Sequence, residues 1–171
     1  MTELAALLDI AWGLLVPGRL VALATVSARG AEARTVVLRG VERRASEVRL
    51  YTDALNPKVA QIAEHEGGTI LVWVPERALQ LRAEVTLATA PGSAADWAAM
   101  DPEARGNYGT LPAPGTGIPH AGAYERQADP ARLTVISGRV TAMDLADLMP
   151  VPHRRARFEA ADGWKGRWLA P

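Results

Sequence analysis

The chain has 171 residues, 49% of them hydrophobic, enough apolar material to fill the core of one domain of ordinary size without covalent staples. Nineteen Lys and Arg balance nineteen Asp and Glu, so no broad field recruits nucleic acid or an anionic membrane surface, and any bound anion must be held by a local cluster. Cysteine is absent, which excludes thiolate nucleophiles, Cys-ligated zinc and iron-sulfur clusters, so redox work needs a borrowed cofactor.

The first stretch carries Glu3 and Asp9 and has no basic segment ahead of its apolar residues, unlike a secretory leader. No apolar run approaches bilayer-spanning length, so a cytoplasmic protein away from the membrane is expected, with 1–171 forming a single domain. Leu4, Leu7, Leu8, Trp12 and Leu15 recur at helical spacing before Pro17-Gly18, which predicts an amphipathic helix over about 2–16. Segments 19–26, 33–41, 47–53, 69–75 and 78–89 are rich in Val, Leu, Ile, Thr and Trp and read as strands. Short polar breaks at 27–30 and 43–46 make the first three antiparallel neighbours. Between the third and fourth lies a helix: Asn56 can cap it, Pro57 suits its first position, Val59, Ile62 and Ala63 share a face, and Gly67-Gly68 ends it. A helical piece at 94–100 leads into a Gly- and Pro-rich loop over about 101–121, and strands are predicted at 132–137, 139–143, 153–159 and 164–169. Many short strands with few helices predict a mainly β (α+β) chain folded as an antiparallel barrel rather than a doubly wound sheet.

Four clusters carry chemistry: Arg34-Thr35-Val36-Val37-Leu38-Arg39, Tyr51-Thr52 followed by Asn56-Pro57-Lys58, Gln80-Leu81-Arg82, and the C-terminal end. Lys58 falls in the first turn of the predicted helix, where unpaired N–H groups and the helix dipole favour an anion. Thr52 as a hydroxyl donor and Arg34 as a fork on a neighbouring strand would complete a phosphate site. Taken singly, Arg34 and Lys58 are more often solvated surface charges, and Gln80 is equally an outward-facing strand residue.

The ordered segments RTVVLRG, LYTDALNPKVAQI and TILVWVPERALQLRAEV, with the closing GWKGRWLAP, resemble the pyridoxamine 5'-phosphate oxidase-like flavoproteins over most of the chain. That resemblance implies an FMN-binding split β-barrel with a few peripheral helices, working as a homodimer with FMN at the subunit interface. It matches Arg34 and Lys58 to the phosphate ligands, with Asn56 opening the same helix, and places Thr35, Val36 and Val37 on the strand whose backbone meets the isoalloxazine. Tyr51 and Thr52 match the pair along the ribityl and phosphate region, Gln80 the glutamine that hydrogen-bonds the ring, and Arg157 an arginine at the ring's polar edge. Trp97 and Tyr108 are candidates to cover the ring.

Departures from the pattern point to the less characterised related branch rather than to the biosynthetic oxidase. Pro57 stands where the family has a second phosphate cation, Arg39 replaces a lysine, Trp168 replaces a terminal arginine, and His153-Arg154-Arg155 replaces an Arg-x-His. Arg39, Arg105, His153 and Arg155 are candidate contacts for a small, anionic substrate. His65, His120 and His153 are too scattered for a metal site, Ser93 and Ser137 have no neighbouring base, and the five tryptophans lack interleaved basic residues for nucleic-acid stacking. The expected activity is that of an FMN-dependent oxidoreductase; the alternative is a module that holds a flavin, deazaflavin or haem without turnover.

Overall fold

A computed structural model describes residues 2–171. Helix α1, Glu3–Leu14, is capped by Thr2, whose hydroxyl accepts from the Ala5 N–H, and buries Leu7, Ala11, Trp12 and Leu14. It stops short of residue 16 because Pro17 pushes the residue before it out of the helical region. Strands β1 (Leu20–Ser27), β2 (Gly30–Glu42) and β3 (Glu47–Asp53) form a meander; Ser27 pairs with Gly30, leaving a two-residue turn. Helix α2, Pro57–Glu64, intervenes before β4 (Gly67–Val74) and β5 (Leu79–Pro91).

The loop region after β5 holds helices α3 (Ala94–Ala98) and α4 (Pro102–Arg105) and a two-stranded ribbon of β6 (Thr110–Leu111) and β7 (Glu125–Arg126). The expected strands at 132–137 and 139–143 are one continuous strand, β8, Leu133–Asp147. Gly138 does not break it: a Cβ there would sit 3.0 Å from Val48 Cγ2 and 3.3 Å from Leu87 Cδ2, so the glycine permits close approach of three strands. Strands β9 (Arg154–Glu159) and β10 (Arg167–Leu169) complete the chain.

All of the long strands join one antiparallel sheet in the order β10-β9-β8-β3-β2-β1-β4-β5, and β8 also pairs with β5, closing a six-stranded barrel. One edge of β8 follows β5 throughout, while its other edge serves β3 from Leu133 to Arg139 and β9 from Ala142 to Asp147. This change of partner splits the barrel. Leu23, Leu38, Leu50, Ile70, Leu81 and Met143 fill its interior, and Trp12 of α1 meets Trp164 edge-to-face at 5.6 Å.

Gly166 turns into β10 with φ of 76°, and an added Cβ would lie 2.5 Å from two ring carbons of the fully buried Phe158. Gly166→Ala is expected to cost about 1–3 kcal/mol through overpacking, read as a lower urea midpoint at unchanged slope. An unaltered midpoint would show that the C-terminal turn yields freely.

Candidate functional site

Inward-facing positions of β1, β2 and β3 converge at one end of the barrel, where α2 covers it. Arg34 pairs across the sheet with Leu23 and lies on the same face of β2 as the fully buried Leu38, so its side chain enters the barrel mouth. Its Nη1 donates to the Leu23 carbonyl at 3.3 Å and to the Thr25 hydroxyl, and its Nη2 donates to Gln61 Oε1 at 2.9 Å. Asn56 caps α2 by accepting from the Lys58 N–H at 3.3 Å, and Pro57 takes the first helical position.

Lys58 Nζ donates to Thr52 Oγ1 at 3.1 Å, and the residue is only 8% exposed. Among the described residues no carboxylate forms an ion pair with it. Burial pulls its ammonium pKa down to about 8, the nearby Arg34 charge adds to that fall, and Asp53 partly opposes it. A buried ammonium beside a guanidinium, with a hydroxyl and a capped helix start at hand, is a charge arrangement completed by a dianionic phosphate; a neutral ligand would leave Lys58 unpaired. Pro57 supplies no charge, but it receives the long loop: a Cβ on Gly115 would lie 3.1 Å from Pro57 Cγ.

Tyr51 and Asp53 flank Thr52 and point the other way. The Tyr51 hydroxyl donates to Asp96 Oδ1 at 2.8 Å, and the Arg39 guanidinium lies 6.0 Å from the Tyr51 ring centre. The Ser93 hydroxyl and backbone N–H, followed by Tyr51, hold the Asp96 carboxyl down at about 2. Burial first, then Asp96, raises the Tyr51 hydroxyl. Asp53 accepts from Arg132 Nε at 3.0 Å and Nη2 at 2.6 Å, from the Leu55 N–H at 2.8 Å and from the Gly109 N–H at 2.7 Å. It thereby ties the long loop to the end of β3. Between the loop and this strand end lies a cavity of about 340 Å³ lined by Tyr51, Thr52, Asn56, Asn107, Tyr108 and Thr110, among others.

The remaining predicted residues lie elsewhere. Thr35 and Val37 alternate to the outside of β2, and Val36 turns inward. Gln80 stands on the outer face of β5, between Trp73 on β4 and Ala146 on β8. Arg157 is clamped by Glu84 at 2.7 and 3.1 Å and by Glu159 at 2.8 Å. Arg155 is bidentate on Asp144 at 2.9 and 2.8 Å. Burial would raise the Asp144 carboxyl, but Arg155, Arg82 and Arg157 outweigh it and hold the group below its ordinary value. Arg105 lies 5.7 Å from the Trp97 ring centre and donates to the Ala98 carbonyl, while His153 precedes β9. Within one chain most of the predicted residues thus form two sets, one at the barrel mouth and one on its outer wall, with Arg105 apart from both on α4. Arg39 belongs to neither and lines a separate cleft of about 260 Å³ with Tyr51 and Asp101. Thr25, Gln61 and Asp53 escape the sequence reading; the available signals were the polar Thr25 inside an apolar strand and the spacing of Gln61, three residues after Lys58 on one helix face.

Residues 14–90 match the family model for the pyridoxamine 5'-phosphate oxidase FMN-binding domain. No curated protein matches the sequence. The fold is similar to that of a pyridoxamine 5'-phosphate oxidase-related, FMN binding protein from Nostoc punctiforme PCC 73102, with a TM-score of 0.78 and 22% identity over 100% of this chain and 99% of that one. PhzG from Burkholderia lata 383, solved in complex with tetrahydrophenazine-1-carboxylic acid, has a TM-score of 0.67 and 16% identity over 98% of this chain and 88% of its own. A Clostridium acetobutylicum protein related to general stress protein 26 has a TM-score of 0.65 and 10% identity, covering 94% of this chain and 99% of its own. The family match spans β1 to β5, which the fold completes into a closed barrel: residues 14–90 are similar to a pyridoxamine 5'-phosphate oxidase FMN-binding domain, within a split-barrel fold shared with these solved structures.

Proposed function

We propose that this chain is an FMN-dependent oxidoreductase of the pyridoxamine 5'-phosphate oxidase-related type, acting on a small, anionic substrate. One observation carries the reading: the buried Lys58 lies beside Arg34 with a single hydroxyl partner, inside the segment that matches an FMN-binding domain. Bound FMN supplies reversible two-electron transfer. Lys58, Thr52 and the free edge of Arg34 hold the phosphate, with Asn56 fixing the helix start behind it. The backbone of Thr35 to Val37 and the Tyr51 side chain would hold the isoalloxazine and ribityl portions of FMN. Arg39, exposed beside the cleft it shares with Tyr51 and Asp101, is the cation best placed to orient a substrate anion.

The second set of predicted residues is brought to the flavin by a second copy of the chain. Leu20 and Trp73 are large apolar residues 65% and 49% exposed, and Trp73 is the cross-strand neighbour of Gln80. Large apolar side chains left in water over a sheet face support an interface there. Gln80 and Arg157 of that copy would then be the residues to hold the ring edge. The captured state of Arg155 and Arg157 favours the second reading, a flavin-, deazaflavin- or haem-holding module without turnover, because these cations already have carboxylate partners.

Purified protein mixed with FMN and desalted is expected to stay yellow and to scatter light as a dimer. Bleaching of the retained flavin by NAD(P)H or by an amine, with recovery in air, supports the oxidoreductase; retention without bleaching supports the holding module. A colourless protein after FMN addition rejects both flavin readings.

A further inference from the structure

Gln61 lies one helical turn after Lys58 on α2, is 7% exposed, and faces the same barrel mouth. Its carboxamide has one possible orientation. Oε1 accepts from Thr25 Oγ1 at 2.6 Å and from Arg34 Nη2 at 2.9 Å, and Nε2 donates to Glu32 Oε2 at 3.0 Å. Flipped, the NH2 group would face a guanidinium that can only donate. Thr25 is itself 1% exposed and receives Arg34 Nη1, so the three side chains close a ring of hydrogen bonds.

We infer that Gln61 is a positioning residue for the phosphate corner: it fixes the plane of the Arg34 guanidinium and, by donating to Glu32, limits that carboxylate to a 3.6 Å ion pair with Arg34 instead of a hydrogen bond. The inference rests on the flavin-phosphate reading above. Arg34 spends Nη1 on Leu23 and Thr25 and Nη2 on Gln61, which leaves its Nε edge for an anion. The Glu32 carboxylate stands 3.6 Å from Arg34 Nη2, held back by Gln61 and by Arg29 at 3.3 Å. Remove Gln61, and the nearest acceptor for the vacated N–H is that carboxylate. Arg34 then rotates toward Glu32, and an incoming phosphate must compete with a resident anion for the same cation. The ordering of Arg34 before ligand arrives is the preorganisation that strengthens anion binding without adding a contact.

Riboflavin lacks the phosphate and provides the control. Titrations of wild type, Gln61→Leu and the double variant Gln61→Leu with Glu32→Gln should be run with FMN and with riboflavin. Wild type is expected to prefer FMN. Gln61→Leu is expected to lose about 10-fold in FMN affinity, the size of one net hydrogen bond, with riboflavin affinity unchanged. The double variant removes the carboxylate toward which Arg34 would turn, and is expected to bring the FMN-to-riboflavin ratio back to within about threefold of wild type, as a coupled pair should. An unchanged ratio in Gln61→Leu, an equal loss for both flavins, or no recovery in the double variant overturns the positioning role. If Gln61→Leu fails to fold, Gln61→Asn, whose shorter amide cannot reach Arg34 and Glu32 together, replaces it in both variants. Wild type that binds FMN no better than riboflavin overturns the phosphate reading itself and this inference with it.

Discussion

Lys58→Met is expected to move two measurements in opposite directions, weakening FMN retention by about 1.5–3 kcal/mol, the range for a charge-assisted hydrogen bond, while making the ligand-free protein more stable. The second effect follows from the depressed pKa. A fall from 10.5 to about 8, at about 1.4 kcal/mol per unit, corresponds to roughly 3 kcal/mol of destabilisation while the group is charged. Below pH 8 the lysine is protonated in both folded and unfolded chains, and the penalty is fully present. Between pH 8 and 10.5 the folded chain has released a proton that the unfolded chain keeps, so stability rises with pH across that window. The methionine variant should lack this rise. FMN affinity of the wild type should fall as pH climbs through about 8, because the phosphate binds the ammonium form. Denaturant midpoints with and without FMN at pH 7 and 9.5 check all of this; a methionine variant less stable than wild type at pH 7 would mean that Lys58 has a structural partner instead of awaiting an anion.

Asp53→Ala is expected to be the most destabilising single change near the site. The carboxylate is 4% exposed and satisfies both the Arg132 fork and the N–H groups of Leu55 and Gly109. Its removal strands a largely buried guanidinium, a defect that costs about 3–5 kcal/mol. The loss should be accompanied by protease nicking within 101–121, since Gly109 loses its anchor to β3. Replacing Arg132 with Leu alongside Asp53→Leu should recover part of the stability without restoring the loop anchor, because that combination leaves no unpaired charge. Equal nicking of wild type and Asp53→Ala would show that the loop is held by Tyr108 and Met100 packing alone.

The barrel was legible where the chain alternates or punctuates itself. Strand β3 falls on the predicted 47–53 because polar and apolar residues alternate cleanly there, and α2 is announced by Asn56-Pro57. Strand β8 runs unbroken where two strands are expected at 132–137 and 139–143, because Gly138 serves closeness to Val48 and Leu87, which come from distant segments. The expected terminal strand at 164–169 is confined to Arg167–Leu169, since Gly163, Trp164 and Gly166 all take positive φ in the turns before it. At the site, Arg34 and Lys58 could be picked out because each sits in a local motif. The roles of Gln61 and Asp53 depend on partners 27 to 79 residues away, which spacing does not encode. The same limit hid the carboxylates that hold Arg155 and Arg157, which come from β5, β8 and β9.

The family-matched segment ends at residue 90, yet the barrel closes only when Leu133–Asp147 slides between β3 and β5. Until that strand leaves the ribosome, the nascent chain carries a five-stranded sheet with two unpaired edges, each a template for pairing with another chain. Closure must also span the whole 92–132 segment, so late, long-range strand insertion is expected to be slower than the local hairpins. The segment that gives the barrel its cavity-bearing loop is therefore also the one expected to lengthen folding and the exposure of unpaired edges to aggregation.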